Sequence, residues 1–263
     1  MKSLSWTATR LIAPLLCLGL AGVALPAAAG EFSASQSREI GSIVRDYLVN
    51  NPEVLRDAMV ELDRREKAEQ AAVRAKILDD NGMLLASPHQ AVIGNPNGKV
   101  TLVEFFDYNC GYCKRALDDL AKLVKEDPDL RVVLKDFPVL GPGSVEAAQV
   151  ASALHNQFTG DKFWAFHQKL LTTRGQIGKA QALAVAKDMG ADMGKLDRDM
   201  ASPTIKAEIQ ETMQLADKLN LTGTPSWVVG HDVVIGAVGY DDLKGKIGGV
   251  ATNLAKCGKA VCS

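Results

Sequence analysis

An α/β fold is predicted by the sequence: a βαβ unit, an all-helical insertion and a ββα unit, preceded by an N-terminal helical segment. Two apolar runs, 100–107 and 130–137, have the pattern of strands buried on both faces, and an amphipathic helix separates them. This order indicates a βαβ unit with a parallel strand pair. The stretch at about 144–220 is helical in pattern with glycine breaks, and strand patterns return after it.

The first 29 residues are predicted to be a cleaved secretory signal. Basic residues precede an apolar run at 11–25, which ends in small residues at the positions that a signal peptidase recognises. The run is shorter than the roughly 20 residues that a membrane-spanning helix needs. A lipoprotein anchor on Cys17 is the competing interpretation, and the bulky Leu16 before it argues against that anchor. The mature chain is therefore expected in the periplasm.

Residues 30–88 are predicted to form a charged helical segment. Asn51 and Pro52 are typical of a helix cap followed by proline at the first helical position. The helix that follows has a narrow apolar stripe at helical spacing, formed by Leu55, Met59 and Leu62. Such a helix is either a solvated surface helix or a self-association helix, and the pattern leaves both interpretations open.

Residues 89–263 are predicted to form one domain. Besides the two long strands, short strands are expected at 90–93, 226–229 and 233–238, with a turn at His231 and Asp232. One helix is expected from Cys110 to about Lys125, and a closing helix from Tyr240 to about Cys257. The insertion at about 144–220 falls between strands of the same sheet.

The net charge limits which partners are expected, and the cysteine count limits which disulfides are expected. The net charge is −1, so neither nucleic acid nor an anionic membrane surface is an expected partner. Of the five cysteines, Cys17 lies in the signal. In an oxidising compartment the other four are expected as two pairs, Cys110 with Cys113 and Cys257 with Cys262. The second pair is expected to be a structural disulfide.

The Cys110-Gly111-Tyr112-Cys113 motif follows a buried strand and opens a helix. The first turn of a helix has free N–H donors and the positive end of the dipole, which stabilise a thiolate. Cys110 is therefore the predicted attacking thiol and Cys113 the resolving thiol. A zinc half-site, a haem attachment site and a structural bridge are the alternatives, and haem attachment needs histidine where Lys114 stands. We expect a redox pair without metal or cofactor.

Three motifs resemble the DsbA-like branch of the thioredoxin superfamily: EFFDYNCGYCK at 104–114, KDFP at 135–138 and TGTP at 222–225. The resemblance covers about residues 90–257, including the helical insertion, and implies a thioredoxin-like fold. It also implies that Pro225 follows a cis peptide bond and faces the cysteine pair. Thr224 would then offer backbone groups to a substrate strand.

The same resemblance implies a proton-transfer role for two strand residues. In the family, an acid at the position of Glu104 lies beneath the active site, with a lysine on the next strand nearby, and Lys135 matches that lysine. A buried carboxyl group with a raised pKa can accept a proton near neutral pH. None of the histidines is expected at the cysteine pair: His89, His155, His167 and His231.

Residues 43–56 resemble the N-terminal stalk of oligomeric DsbA-like proteins such as the ScsC proteins. Gly111-Tyr112 and the threonine before Pro225 also occur in the periplasmic isomerase DsbC. The resemblance implies a homo-oligomer through residues 30–88, unfolded or misfolded secreted proteins as substrates, and a membrane redox partner that recycles the site. Disulfide isomerase or reductase is the leading function. The alternatives are a DsbA-like dithiol oxidase and a non-enzymatic Cu(I)-binding or chaperone module.

Overall fold

The computed structural model describes residues 32–80 and 90–256, and within them the chain forms nine helices and five strands. The helices are α1 Ala34–Asn50, α2 Pro52–Asp80, α3 Gly111–Glu126, α4 Pro142–Leu154, α5 Gly160–Thr172, α6 Lys179–Asp188, α7 Met193–Met200, α8 Pro203–Lys218 and α9 Tyr240–Lys256. The strands are β1 Ala91–Gly94, β2 Val100–Phe106, β3 Leu130–Asp136, β4 Ser226–Val229 and β5 Asp232–Ile235. The predicted α/β class is confirmed.

The chain divides into two compact units, residues 1–60 and 61–263, so the division falls within α2. In the first unit, α1 begins with a capping box: the Gln36 N–H donates to the Ser33 hydroxyl, and the Ser33 N–H donates to the Gln36 side chain. Pro52 starts α2 directly after Asn51, as the sequence predicts.

None of the residues of α1 is buried. Four of its apolar side chains form a stripe at helical spacing and are 42–62% exposed: Ile40, Ile43, Val44 and Tyr47. The three residues of the stripe predicted in α2, Leu55, Met59 and Leu62, are also exposed. The helix α1 and the first part of α2 therefore carry apolar side chains that are exposed within the described part of the chain.

The five strands of the second unit form one sheet in the order β1-β3-β2-β4-β5. The predicted parallel pair is confirmed, because β2 and β3 run parallel with Val100 opposite Leu130 and Phe106 opposite Asp136. The other neighbouring strands are antiparallel. This register places the end of β2, which leads to the cysteine motif, in the middle of the sheet.

The β4–β5 hairpin differs from the prediction in two details. Its two-residue turn is Gly230 and His231, one position earlier than expected, and Gly230 adopts the φ of +56° that glycine tolerates best. Strand β5 ends at Ile235 rather than at Val238. Gly236 has a φ of +103°, and its N–H donates to the Pro225 carbonyl at 2.8 Å, which turns the chain out of the strand.

Alternating side chains of the sheet pack into two separate cores. On one face, the even-numbered residues of β2 and β3 share a core with α3 and α9. On the other face, Val103, Phe105 and Val133 pack with Leu215 of α8 and with Leu78 of α2. The two faces are therefore chemically separate environments, and the cysteine pair belongs to the first.

The helical insertion comprises α4 to α8 and lies between β3 and β4 in the chain, beginning at Pro142 rather than Ser144. The end of α2 also belongs to the second unit. Its Leu78 is 4% exposed, and the Arg74 guanidinium donates to the carbonyls of Leu219 (2.8 Å) and Asn220 (3.2 Å). Arg74 thus binds carbonyls just after the C-terminus of α8.

In the described ranges, no helix combines the length and the apolarity that crossing a bilayer requires. The predicted signal at 1–29 and the predicted boundary at residues 88 and 89 lie outside those ranges.

Candidate active site

The cysteine pair lies where β2 ends and α3 begins. Cys110 is the N-cap residue of α3, and the Cys113 N–H donates to its Sγ at 3.4 Å. Both are free thiols, 5% exposed at Cys110 and 0% at Cys113. The Cys110 sulfur therefore lies where it can accept hydrogen bonds from the unpaired N–H groups of the helix start, while the Cys113 sulfur lies in the core.

This asymmetry separates the acidities of the two thiols. The pKa of Cys110 is lowered to about 5, chiefly by the hydrogen bond from the Cys113 thiol, with smaller contributions from Thr224 and from the N–H groups of Cys113 and Tyr112. Burial raises the pKa of Cys113 well above its usual range, and the hydrogen bond to Cys110 and the charge of Glu104 add to it. At neutral pH the pair is therefore one thiolate and one thiol.

Thr224 and Pro225 form the opposite side of the site. Because β4 pairs with β2, with Ser226 opposite Phe105, the residues before β4 lie beside the cysteine motif. The Cys110 Sγ is 3.1 Å from the Thr224 carbonyl oxygen, to which only the protonated thiol can donate, and the Thr224–Pro225 peptide bond is cis, as the resemblance implies. The carbonyl thus borders the reactive sulfur.

The two residues between the cysteines face outward. A Cβ at Gly111 would contact nothing within 4 Å, and Tyr112 is 59% exposed. The Arg115 guanidinium lies 4.0 Å from the centre of the Tyr112 ring. The loop between the cysteines therefore presents an aromatic ring and a cation beside Cys110.

Glu104 lies beneath the cysteines on the same face of the sheet. It is 2% exposed, and its Oε2 has no hydrogen-bond partner among the described residues. Burial, together with the charge of Cys110, raises the pKa of Glu104 to about 8. This carboxyl group can therefore gain or lose a proton near neutral pH.

The resemblance implies a lysine near Glu104, but the structure places Lys135 on the other face of the sheet. In the parallel register Glu104 is opposite Leu134, and Lys135 is opposite Phe105, so the two side chains leave opposite faces of the sheet. Lys135 is fully buried with no hydrogen-bond partner for its Nζ in the described part of the chain, and burial lowers its pKa to about 8. The charges of Glu211 and Glu208 on α8 partly offset this lowering of its pKa.

Sequence reasoning missed a polar network around Asp107, which we call the Asp107 network: the side chains of Asp107, Asn109 and Ser144 with the backbone that they bind. Asp107, 2% exposed, accepts hydrogen bonds from the Ser144 hydroxyl and from three backbone N–H groups. Asn109 binds the backbone of Ile177 through both ends of its amide. The available signal was the position of Asp107, a carboxylate at the end of a buried strand and two residues before another amide side chain.

A second buried polar group was also missed. His167 is fully buried between aromatic rings, its Nδ1 lies 3.4 Å from the Tyr108 hydroxyl, and burial lowers its pKa to about 3. Asp136, at the end of β3, accepts from Ser152 at 3.3 Å, and burial raises its pKa to about 8. Both groups are therefore neutral at pH 7, which explains how the core accommodates them.

Two further predictions concern metal and disulfide sites. In residues 32–80 and 90–256, no three His, Cys, Asp or Glu side chains converge as a metal site would require. The predicted disulfide between Cys257 and Cys262 lies outside the described residues.

With this geometry established, comparison with known proteins identifies the family. The family model described as the DSBA-like thioredoxin domain matches residues 101–248, more than half of the chain. The chain belongs to the DsbA-like thioredoxin family. Its members are thiol–disulfide oxidoreductases, which agrees with the predicted class of enzyme. The N-terminal domain of the copper resistance protein ScsC matches residues 36–69.

Solved DsbA-like structures extend this similarity to the N-terminal helices. Proteus mirabilis ScsC in a transitional conformation is 32% identical, with a TM-score of 0.61, over 86% of this chain and 98% of that chain. A thioredoxin-like oxidoreductase from Silicibacter pomeroyi DSS-3 is 41% identical, with a TM-score of 0.61, over 64% and 96%. The thioredoxin-like fold predicted for this DsbA-like chain is confirmed.

Curated relatives match over part of their length. The thiol:disulfide interchange protein DsbA of Bordetella pertussis is 30% identical over 142 residues, 51% of this chain and 64% of that protein. The Na⁺/H⁺ antiporter NhaA 1 of Salinispora arenicola is 29% identical over 140 residues, and the chain spans only 21% of its length.

Proposed function

We propose that this DsbA-like protein is a periplasmic thiol–disulfide oxidoreductase that isomerises or reduces disulfides in misfolded secreted proteins. The observation that carries the disulfide exchange in this proposal is the acidity difference within the pair, a Cys110 thiol with a pKa of about 5 beside a Cys113 thiol that stays protonated. The choice of isomerisation or reduction rests on the resemblance of Gly111-Tyr112 and Thr224 to the isomerase DsbC. Such a pair has one nucleophile ready to attack and one thiol held in reserve. The predicted signal at 1–29 supports export.

In the proposed reaction, the Cys110 thiolate attacks one sulfur of a substrate disulfide, and the other substrate sulfur leaves as a thiolate. In isomerisation, a substrate thiolate then attacks the mixed disulfide and releases the Cys110 thiolate, so no net electrons move. In reduction, Cys113 loses its proton, attacks the Cys110 sulfur and releases the second substrate thiolate. The substrate gains two electrons, and the enzyme disulfide must be reduced by a partner, for which a membrane redox protein is proposed.

Glu104 is the proposed acceptor of the Cys113 proton in the reductive step. It lies on the cysteine face of the sheet. The charge of Cys110 raises the pKa of Glu104, and the charge of Glu104 in turn raises the pKa of Cys113. Thr224 is proposed to bind the substrate backbone beside Cys110, since its carbonyl already lies 3.1 Å from the sulfur.

Dithiol oxidation is the second candidate, and the acidity of Cys110 favours it. A stabilised thiolate stabilises the reduced enzyme, and this makes the disulfide form a stronger oxidant. A pKa of about 5 lies between values of about 7 in thioredoxin and about 3.5 in DsbA. The reduction potential is therefore expected between about −270 and −120 mV.

The test is refolding of a scrambled-disulfide substrate by the purified protein, in parallel with oxidation of a reduced substrate. Isomerisation requires that Cys113→Ala keeps part of the refolding activity, because Cys110 alone can attack and be released. Oxidation requires both cysteines. A protein that only oxidises would reject the leading proposal and leave the second.

We further propose that the protein is a homo-oligomer assembled through residues 30–88. The exposed stripe on α1 supports this, because a helix without a single buried residue gains little from folding alone. Linked catalytic units raise the effective concentration of thiol at one misfolded partner.

Ile43→Glu combined with Tyr47→Glu should yield a monomer that loses isomerase activity and keeps reactivity with small disulfides. Ser42→Glu, on a different side of α1, is the matched control and should stay oligomeric. Light scattering measures the mass of each variant. A wild-type protein that is already monomeric contradicts the proposal.

A further inference from the structure

The Asp107 carboxylate is saturated by hydrogen-bond donors. Its Oδ1 accepts from the Asn109 N–H at 2.8 Å and from the Ser144 hydroxyl at 2.7 Å, and its Oδ2 accepts from the N–H groups of Val139 (2.9 Å) and Leu140 (3.0 Å). Four donors on one buried side chain require a group that accepts only. An ionised carboxylate meets that requirement, and an amide does not.

Asp107 also closes the turn that places Cys110 at the start of α3. Its side chain binds the Asn109 N–H, and its backbone carbonyl accepts from the Cys110 N–H at 3.0 Å. This turn fixes the backbone of Cys110 at the start of α3, where the Cys113 N–H reaches the Cys110 sulfur. The direction of the sulfur therefore depends on the geometry of residues 107–110.

Asn109 attaches the same turn to the helical insertion. Its Oδ1 accepts from the Ile177 N–H at 2.7 Å, and its Nδ2 donates to the Ile177 carbonyl at 2.9 Å and to the Ser144 hydroxyl at 3.0 Å. Ile177 is fully buried and Ser144 is 1% exposed, so both anchors lie within the core of the second unit. The turn is thus fixed from two sides, by the loop after β3 and by the insertion.

We propose that Asp107 and Asn109 are positioning residues for disulfide exchange, which hold the Cys110 sulfur in line with the start of α3 and beside the Thr224 carbonyl. Neither side chain touches the sulfur; both act through the turn. The proposal deepens the proposed thiol–disulfide exchange and rests on it for its kinetic readout. It explains why a buried carboxylate and a partly buried amide lie in the turn just before the cysteine motif.

Asp107→Asn is the sharpest test, because it preserves shape and removes two acceptor positions. The amide NH₂ must face either the Asn109 N–H or the two N–H groups of the loop after β3, and a buried donor is left unpaired. Asn109→Ala releases the insertion while leaving Asp107 in place. Ser152→Ala is the matched control: Ser152 is on α4 like Ser144, and its hydroxyl donates to Asp136 rather than to the Asp107 network.

Two readouts separate positioning from a structural role. The first is thiolate absorbance of the full-length reduced protein against pH, which needs no substrate. Asp107→Asn should raise the Cys110 midpoint by about one pH unit, Asn109→Ala by less, and Ser152→Ala not at all. The second is the rate of reaction with a small aromatic disulfide at pH 7, where Cys110 stays mostly ionised. That rate should fall about tenfold in Asp107→Asn.

Circular dichroism and thermal unfolding show whether each variant is folded, and Asn109→Ala carries the test if Asp107→Asn does not fold. Folded Asp107→Asn or Asn109→Ala protein with a wild-type midpoint and a wild-type rate would overturn the proposal. Wild-type protein that reacts with no disulfide would instead reject the proposed function, while the titration midpoint would still report on positioning.

Discussion

Glu104 and Lys135 are two buried ionisable side chains on neighbouring strands, one register position apart, and they lie on opposite faces of the same sheet. Each has an atom without a hydrogen-bond partner among the described residues, and burial brings the pKa of each to about 8. The carboxyl group shares its core with the cysteine pair. The ammonium group lies near the glutamates of α8 instead.

The difference shows that burial and a shifted pKa do not identify a catalytic group by themselves. Which face of the sheet a side chain occupies decides which chemistry it can serve. Changes on the cysteine face are therefore expected to alter disulfide exchange, whereas changes on the α8 face should alter stability.

The largest effect is expected at the cysteines themselves. Cys110→Ala should lower exchange activity more than about a thousandfold, because it removes the nucleophile. Cys113→Ala should still attack and should accumulate mixed disulfides on Cys110, because the resolving thiol is absent. Non-reducing electrophoresis of both variants after exposure to an unfolded disulfide-containing protein measures the trapping. Equal trapping by the two variants would contradict the assigned roles.

Glu104→Gln should slow the resolving step by about a hundredfold and leave the first attack nearly unchanged, because an amide cannot accept the Cys113 proton. The wild-type resolving rate should rise as pH increases through about 8, where Glu104 becomes a base, and the variant should lack this rise. Single-turnover kinetics across pH 6–10 separate the two steps. Lys135→Met is the control and should keep the wild-type pH profile; an identical loss in both variants would remove the distinction between the faces.

Lys135→Met should raise the free energy of unfolding by about 1–3 kcal/mol at pH 7, because it removes a buried ammonium group whose Nζ has no hydrogen bond among the described residues. The folded pKa of Lys135 lies below the unfolded value, so wild-type stability should rise between pH 8 and 10.5, where only the unfolded chain keeps the proton. The gain from the variant should shrink over that range. Urea unfolding at pH 7 and pH 10 measures this gain. A destabilised variant would show that the attraction between the Lys135 ammonium and the glutamates of α8 outweighs the cost of burying the ammonium group.

Asp136→Asn should have the smallest effect. Burial raises the pKa of Asp136 to about 8, so at pH 6 the side chain is already neutral, and an amide of the same shape should change stability by less than about 0.5 kcal/mol. Wild-type stability should fall as pH rises from about 4 to 8, since the folded state holds a proton that the unfolded state has released. The variant should lack that part of the decline. Thermal unfolding from pH 5 to 9 tests this, and a large loss at pH 6 would mean that Asp136 is ionised in the fold.

Much of this architecture was predictable from local patterns. Apolar runs such as 100–107 and 130–137 predict buried strands, because few other structures accommodate them. The end of β5 was predicted too late, because Gly236 ends the strand before the apolar pattern does. The cysteine motif was predictable because its chemistry follows from its place at a helix start. The α1 stripe at Ile40, Ile43, Val44 and Tyr47 was also predictable, because these residues recur at helical spacing in the sequence.

The face of the sheet on which each side chain lies could not be predicted from the sequence. Lys135 could be assigned to a strand, yet its face depends on the register between β2 and β3, which a single residue shift reverses. The Asp107 network could not be predicted for a related reason, because its partners are distant in the chain. Ser144 is 37 residues from Asp107, and Ile177 is 68 residues from Asn109. Only the folded insertion brings them together.

The low exposure of Cys110 as a residue also bears on how the protein ages chemically. A thiolate is the form that peroxides convert to sulfenic and then to irreversible sulfinic acid, and the rate follows thiolate character and exposure together. Cys110 has the first property, but with only 5% of its surface exposed it has little of the second. A diffusing oxidant therefore finds a small target, whereas a bound polypeptide can bring its disulfide to the sulfur beside Thr224. The low exposure of Cys110 is therefore expected to slow the oxidation of this nucleophile by small peroxides.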